Sequence, residues 1–186
     1  MTSPGRYVVT DTVTRTPISF YLPQGWQDMQ GIIVLGEQPA VWDNRGAFST
    51  WIVDRVFQDA CHWSGTARRV GTASELSDAL AHQSGREEGV PQSVTVGGVP
   101  ATLVVLSVAP TFDETVCDGG ILRNWPDAAG ATRGGWRSLA GQIDSVYIID
   151  SPGGPLVITA SVMSNASQAD KEAVKAMVDS IQIGSN

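Results

Sequence analysis

The stretch Ser93-Val-Thr-Val-Gly-Gly-Val-Pro-Ala-Thr-Leu-Val-Val-Leu-Ser-Val108 decides the fold class. Its flanks, Ser93–Val96 and Ala101–Val108, are rich in Val, Thr and Leu and read as strands. Gly97-Gly98-Val99-Pro100 joins them. A Gly-Gly pair tolerates the positive φ angles that a tight hairpin turn requires. Strands joined by so short a link pair antiparallel.

Similar signals lie on both sides. Gln142–Asp150 and Leu156–Met163 flank Ser151-Pro-Gly-Gly-Pro155 and predict a second hairpin. Upstream, Ile18–Leu22 alternates as a strand and stops at the turn Pro23-Gln-Gly-Trp26. Ile32–Leu35 is a short apolar run, read as a buried strand. Phe48–Val56 is β-rich, with Phe48, Thr50 and Ile52 on one face and Trp51 and Val53 on the other.

Two helices are signalled by their caps. Thr72-Ala-Ser-Glu75 has the form of a capping box, Leu76, Ala79, Leu80 and Gln83 continue one face, and Gly85 is the expected stop. Ser167 with Asp170 caps a second helix from about 168 to 181, whose stripe is Val174, Met177, Val178 and Ile181. Antiparallel hairpins with helices set apart from them give an α+β fold, an antiparallel sheet flanked by helices. Polar, Thr-rich residues 1–16 read as a flexible lead-in or linker remnant, and 17–184 as a single domain. Between the hairpins, Ala109 to about Gly135 reads as a long loop rich in Gly, Pro and Asp.

The totals exclude several partners. At 186 residues with 42% hydrophobic and 17% charged residues, the chain has enough apolar material for a core. A formal charge of −7 argues against nucleic acid and against anionic membrane. Lys171 and Lys175 are the only lysines, and the other basic residues are arginines. No apolar run is long enough to span a bilayer, so direct membrane insertion of this chain is not expected. The stretch MTSPGRYVVTDT has no apolar core of the kind a signal peptide needs.

Cys61, in Asp59-Ala-Cys-His-Trp63, and Cys117, in Val116-Cys-Asp-Gly-Gly120, are the only cysteines. A disulfide between them is the main reading. It would close a long loop, worth roughly 4 kcal/mol in the chain-entropy account, and would pin the 109–135 segment. It also implies an oxidising, extracytoplasmic compartment, with any signal or anchor outside this sequence. Two alternatives stand beside it. A Cys61 thiolate with His62 or His82 as base would be a thiol enzyme, but adjacent Cys and His rarely form such a pair and His82 lies off its helix's apolar stripe. Cys61, His62, Cys117 and Asp118 could hold a metal, but no C-x-x-C or H-x-x-x-H spacing supports it. No metal and no cofactor are expected.

Motifs for nucleophilic serine or phosphate binding are missing: there is no G-x-S-x-G and no G-x-x-x-x-G-K-[ST]. No catalytic residue is assigned. Asp113, Glu114 and Asp118 cluster in the long loop, with Asp127 nearby. Around His62 they would build a small enzyme or ligand pocket, although a solvated acidic loop explains them more simply. Of six tryptophans, Trp51 is expected on the sheet and Trp63 over the disulfide. Trp42, Trp63, Trp125 and Trp136, with Asp113, Glu114 and Asp118, form the candidate binding surface.

The stretches LPQGW, WIVDRVFQDACHW, SELSDALAHQ, SVTVGGVPATLVVLSV, CDGG, GQIDSVYIID and DKEAVKAMVDSI follow one another across residues 18–182. This order resembles a group of actinobacterial domains that carry DPCHW-like, CDGG-like and GQ-D-WILD-like stretches. Here Ala60 stands where proline is common and Tyr147 where tryptophan is common. The resemblance implies an extracytoplasmic or lipoprotein-type domain and a fold similar to the Mog1/PsbP-like α/β/α sandwich. It implies no catalytic residue, and it supports the Cys61–Cys117 pairing. The expected function is a non-enzymatic binding, sensor or accessory module of the cell envelope, with an unidentified protein or envelope ligand as partner.

Overall fold

The computed structural model describes residues 3–10, 16–29, 32–35, 45–64, 67–126 and 136–184. In chain order the first strands are β1 (Gly5–Thr10), β2 (Pro17–Leu22), β3 (Trp26–Met29), β4 (Ile32–Leu35), β5 (Gly46–Ile52), β6 (Arg55–Phe57) and β7 (Ala67–Arg69). Helix α1 (Ala73–Ala81) follows, then β8 (Gln92–Val96), β9 (Val99–Ser107), β10 (Leu122–Trp125), β11 (Trp136–Ser138), β12 (Ile143–Ile149) and β13 (Leu156–Val162). Helix α2 (Gln168–Asp179) and β14 (Gln182–Ile183) close the chain.

The central sheet has seven strands in the order β3-β4-β5-β13-β12-β9-β8, and every neighbouring pair is antiparallel. The α+β expectation holds. The β8–β9 hairpin turns on Gly97 and Gly98 alone, at φ 59° and 83°, with Val96 paired to Val99. Val99 and Pro100, read as turn residues, therefore belong to β9: two glycines complete the reversal. Both capping boxes form, Thr72 with Glu75 and Ser167 with Asp170. Helix α1 ends at His82, before Gly85 is reached.

Alternation places two cores on the two faces of this sheet. On one face Phe48, Ile158 and Ile149 meet Trp26, Phe20, Ile18 and Leu22, and Val174 and Met177 of α2. A second sheet, β1-β2-β14, covers part of this face. On the other face Val104, Leu106, Val146 and Ile148 meet Leu76 and Leu80 of α1, with Trp125. The two helices thus lie on opposite faces. The alternation expected in β5 is observed: Phe48 and Ile52 belong to the first core, and Trp51 and Val53 to the second.

Two expectations are corrected. The lead-in contains strand β1, which pairs with β2 from Gly5↔Leu22 to Thr10↔Pro17. Tyr7 and Val9 turn inward, and Tyr7 stacks on Phe20 with ring centroids 6.5 Å apart. Val8, apolar yet exposed, interrupts the apolar–polar alternation that would have marked the strand. The 109–135 segment likewise is more than loop. It holds two 3₁₀ turns, Glu114–Val116 and Asp118–Gly120, and strand β10, whose Leu122 and Trp125 are buried.

Helix α2 is held toward one side of its face. A Cβ at Gly46 would lie 2.9 Å from Cγ2 of Val174, so only glycine lets the helix approach β5 this closely. The Arg45 Nε–Asp170 pair, 3.0 Å, fastens the first turn of the helix at the same place. The helix therefore packs on β5 and β13 and leaves the β12-β9-β8 side less covered.

Candidate functional site

The disulfide expectation is borne out. Cys61 and Cys117 are bonded, with Cα atoms 4.5 Å apart, and no free cysteine remains. Flanking backbone bonds, Asp118 N to Cys61 O at 2.8 Å and Arg123 N to Ala60 O at 2.8 Å, lock the same corner. With both thiols spent, the thiol-nucleophile reading is removed. Ala60, Cys61, Val108, Cys117 and Leu122 form a small apolar cluster here.

The polar groups of this corner hold backbone. Asp59 Oδ1 accepts from the amides of Cys61 and His62, each at 2.8 Å, and Oδ2 lies 3.3 Å from His62 Nδ1. Partial burial pushes the Asp59 carboxyl up, but the His62 and Cys61 amides and the imidazole outweigh it and hold it below its ordinary value. Asp118 accepts from the Ser64 amide at 2.8 Å. Asp113 caps the first 3₁₀ turn through the Thr115 amide and hydroxyl, at 3.0 and 2.6 Å. Glu114 accepts from the Ala140 amide at 2.5 Å. Each of these carboxylates is engaged by a different stretch of backbone, while Asp118 also lies near enough to His62 and Asp59 to feel their charges. Among the described residues no group of three or more His, Cys, Asp or Glu is placed to hold a metal ion.

The tryptophans divide. Trp63 is half-buried beside the disulfide corner: its indole donates to Ile121 O at 2.9 Å, and the Arg123 guanidinium stands 4.3 Å over its ring. Trp125 is 1% exposed and packs edge-on to Trp51, with centroids 6.3 Å apart, so it belongs to the core and not to a binding surface. Its position next to the chain's long polar stretch gave no hint of this. Trp42 and Asp127 lie outside the described residues, as does the side chain of Trp136 on β11.

A polar network that sequence reasoning missed lies under the β10–β11 arm. Asp144 is fully buried and accepts from Ser138 Oγ at 2.7 Å, from Gln142 Nε2 at 2.6 Å and from Ser161 Oγ. Ser138 in turn accepts from Asn124 Nδ2 at 3.2 Å, and Asn124 Oδ1 accepts from Arg86 Nη2. Arg86 Nε and Nη1 are enclosed with no hydrogen-bond partner. Burial pushes the Arg86 pKa down to about 10, against the opposing pull of Asp144. The network is a charge pair relayed through two neutral side chains, and it docks the arm onto the sheet.

A further open feature lies elsewhere. Beside α2, on the less covered side of the sheet, a groove of about 570 Å³ opens to solvent. Val94, Leu103 and Ile143 contribute to its sheet side, and Val174 and Val178 to its helix side. Tyr147 stands half-buried in it, and burial, then Asp179, push its phenol pKa up. Lys171, Lys175 and Asp179 also line it. Lys175 Nζ binds Asp179 Oδ2 at 2.5 Å, and that bond holds its pKa above the ordinary value. A volume of 300–1,000 Å³ with an apolar lining and few polar groups is typical of small-molecule sites. A second hollow of about 530 Å³, lined by Val56, Phe57 and Ala79 together with Arg68, Asp78 and His82, lies against α1.

Fold and site thus define an α+β, disulfide-bonded protein with a single-sided groove between sheet and helix. No protein-family model matches the chain, and no curated protein matches it. Among solved structures the chain is similar to LpqN, involved in cell envelope biogenesis of Mycobacterium tuberculosis. That likeness is 14% in identity with a TM-score of 0.49, and covers 99% of this chain and 93% of that one. It is also similar to a protein from Bacteroides thetaiotaomicron, at 10% identity and a TM-score of 0.41. There the match covers 96% of this chain but only 47% of the other, so this chain spans about half its length. Likenesses this distant assign no activity.

Proposed function

We propose that this protein is a non-enzymatic, extracytoplasmic binding domain whose ligand lies in the groove between α2 and the β12-β9-β8 side of the sheet. The groove is the observation that carries the reading: apolar side chains of sheet and helix and a few polar groups face one open volume there. The Cys61–Cys117 bridge supports an oxidising compartment. The resemblance of the DACHW and CDGG stretches to actinobacterial envelope domains points the same way, and the Mog1/PsbP-like sandwich is the relation we propose for the layering. Trp63, Asp113, Glu114 and Asp118 serve in this reading to stabilise the disulfide corner.

The test uses N-phenyl-1-naphthylamine, a neutral apolar fluorophore. Saturable fluorescence enhancement is expected with the native protein. It should disappear in Val178→Trp, which fills the groove, while the circular dichroism spectrum stays native. No saturable signal from the native protein, or an unchanged signal in a folded Val178→Trp, sinks the reading.

A further inference from the structure

We infer that the ligand of this groove is an apolar chain ending in a carboxylate, with the carboxylate seated at Lys171; this rests on the groove being the binding site. The protein carries a formal charge of −7, so a general preference for anions is not expected of its surface. The groove is an exception. Its charged lining is Lys171, Lys175 and Asp179, two cations and one anion, which leaves +1. Both lysines of the chain are there, while its other basic residues are arginines.

The two lysines differ. Lys175 is engaged by Asp179 at 2.5 Å one turn along the helix. The Lys171 ammonium meets no carboxylate among the described residues, so its charge is available. Residues 171, 174, 175 and 178 follow the i, i+3, i+4, i+7 spacing of one helix face. That spacing sets the Lys171 ammonium beside the apolar Val174 and Val178, so one molecule can meet both. Lysine suits this task, because a flexible stem lets the ammonium follow a carboxylate at the rim. The anchor for α2, Asp170 on Arg45, holds the neighbouring residue at 3.0 Å and so limits how far Lys171 can drift. The apolar floor of Val94, Leu103 and Ile143 offers the surface on which a chain would lie.

The experiment compares dodecanoate with its neutral methyl ester, both below their aggregation limits, by displacement of N-phenyl-1-naphthylamine. Dodecanoate is expected to bind roughly fivefold to tenfold more tightly than the ester, as one partly exposed charge pair allows. Lys171→Gln should erase that preference while leaving the ester's affinity unchanged, and Lys171→Arg should retain most of it. Equal affinities in the native protein, or a preference that survives Lys171→Gln, overturn the carboxylate assignment and leave the groove reading standing. Failure of both compounds to displace the fluorophore, with no binding of the fluorophore itself, overturns both.

Discussion

The Asp118 amide donates to the Cys61 carbonyl at 2.8 Å, one residue from the Cys61–Cys117 bridge. The covalent link and the backbone bond close the same corner, so the first 3₁₀ turns of the long segment are held twice. The bridge spans 56 residues of chain. Its removal in Cys61→Ser/Cys117→Ser should lower the unfolding free energy by roughly 4 kcal/mol, read from urea denaturation, with the native circular dichroism retained. A loss below about 1 kcal/mol would mean that the flanking bonds alone hold the corner.

The Arg86–Asp144 network predicts an asymmetry. Removing Asp144 strands a guanidinium that already has two enclosed nitrogens without partners. Removing Arg86 leaves Asp144 with its three donors, Ser138, Gln142 and Ser161. Asp144→Ala should therefore cost about 3–5 kcal/mol and Arg86→Met clearly less. Chemical denaturation of the two variants decides it. An equal or reversed order would show that the Asp144 donors do not compensate its charge.

Acid should weaken the fold in a defined direction. Asp59 has a folded pKa below its ordinary value of 3.8, because the amides and imidazole of its turn outweigh the upward push of burial. Asp170, whose burial also pushes it up, is lowered in the same net sense by Ser167 and Arg45. A depressed folded pKa means that the unfolded chain takes up protons first as pH falls. The stability these aspartates contribute is complete above the ordinary carboxylate value and is lost as pH drops through their folded values. Melting temperatures should be level from neutrality to about pH 5 and fall below about pH 4. Asp59→Asn should show a shallower acid decline than the native protein. An identical decline in Asp59→Asn refutes the assignment.

The hairpin turn offers a paired test. Gly97 and Gly98 both have positive φ, so alanine is strained at either. A Cβ at Gly98 meets open space, whereas one at Gly97 would lie 2.7 Å from Cγ1 of Ile183 and 3.0 Å from Cγ2 of Ile181. Gly98→Ala should cost about 1 kcal/mol. Gly97→Ala should cost more, since it also pushes the C-terminal strand β14 off the turn. Thermal unfolding of both variants checks the order.

The hairpins, the two capped helices and the cysteine pair were legible because each depends on contacts a few residues apart or on a residue type with one common use. Gly97-Gly98 can make its turn, and Thr72 can meet Glu75, whatever the rest of the chain does. Strand β1 was missed because its inward residues, Tyr7 and Val9, flank the exposed apolar Val8, so no apolar–polar alternation marks the inner face until Phe20 packs against it. The buried Trp125 and Asp144 were equally hidden: one reads as a loop aromatic and the other as an ordinary strand-surface acid until the β10–β11 arm folds over the sheet. The groove depended most on tertiary structure. Val94, Leu103 and Tyr147 come from strands that are adjacent only because β12 pairs with β9 across the sheet. Lys171 faces the same opening because Gly46 and Arg45 hold α2 toward β5 and leave that side of the sheet less covered. The sequence by itself determined the local elements, whose free energy comes from neighbouring residues. The fold decided the site, because burial and charge compensation there arise between segments that the chain separates by tens of residues.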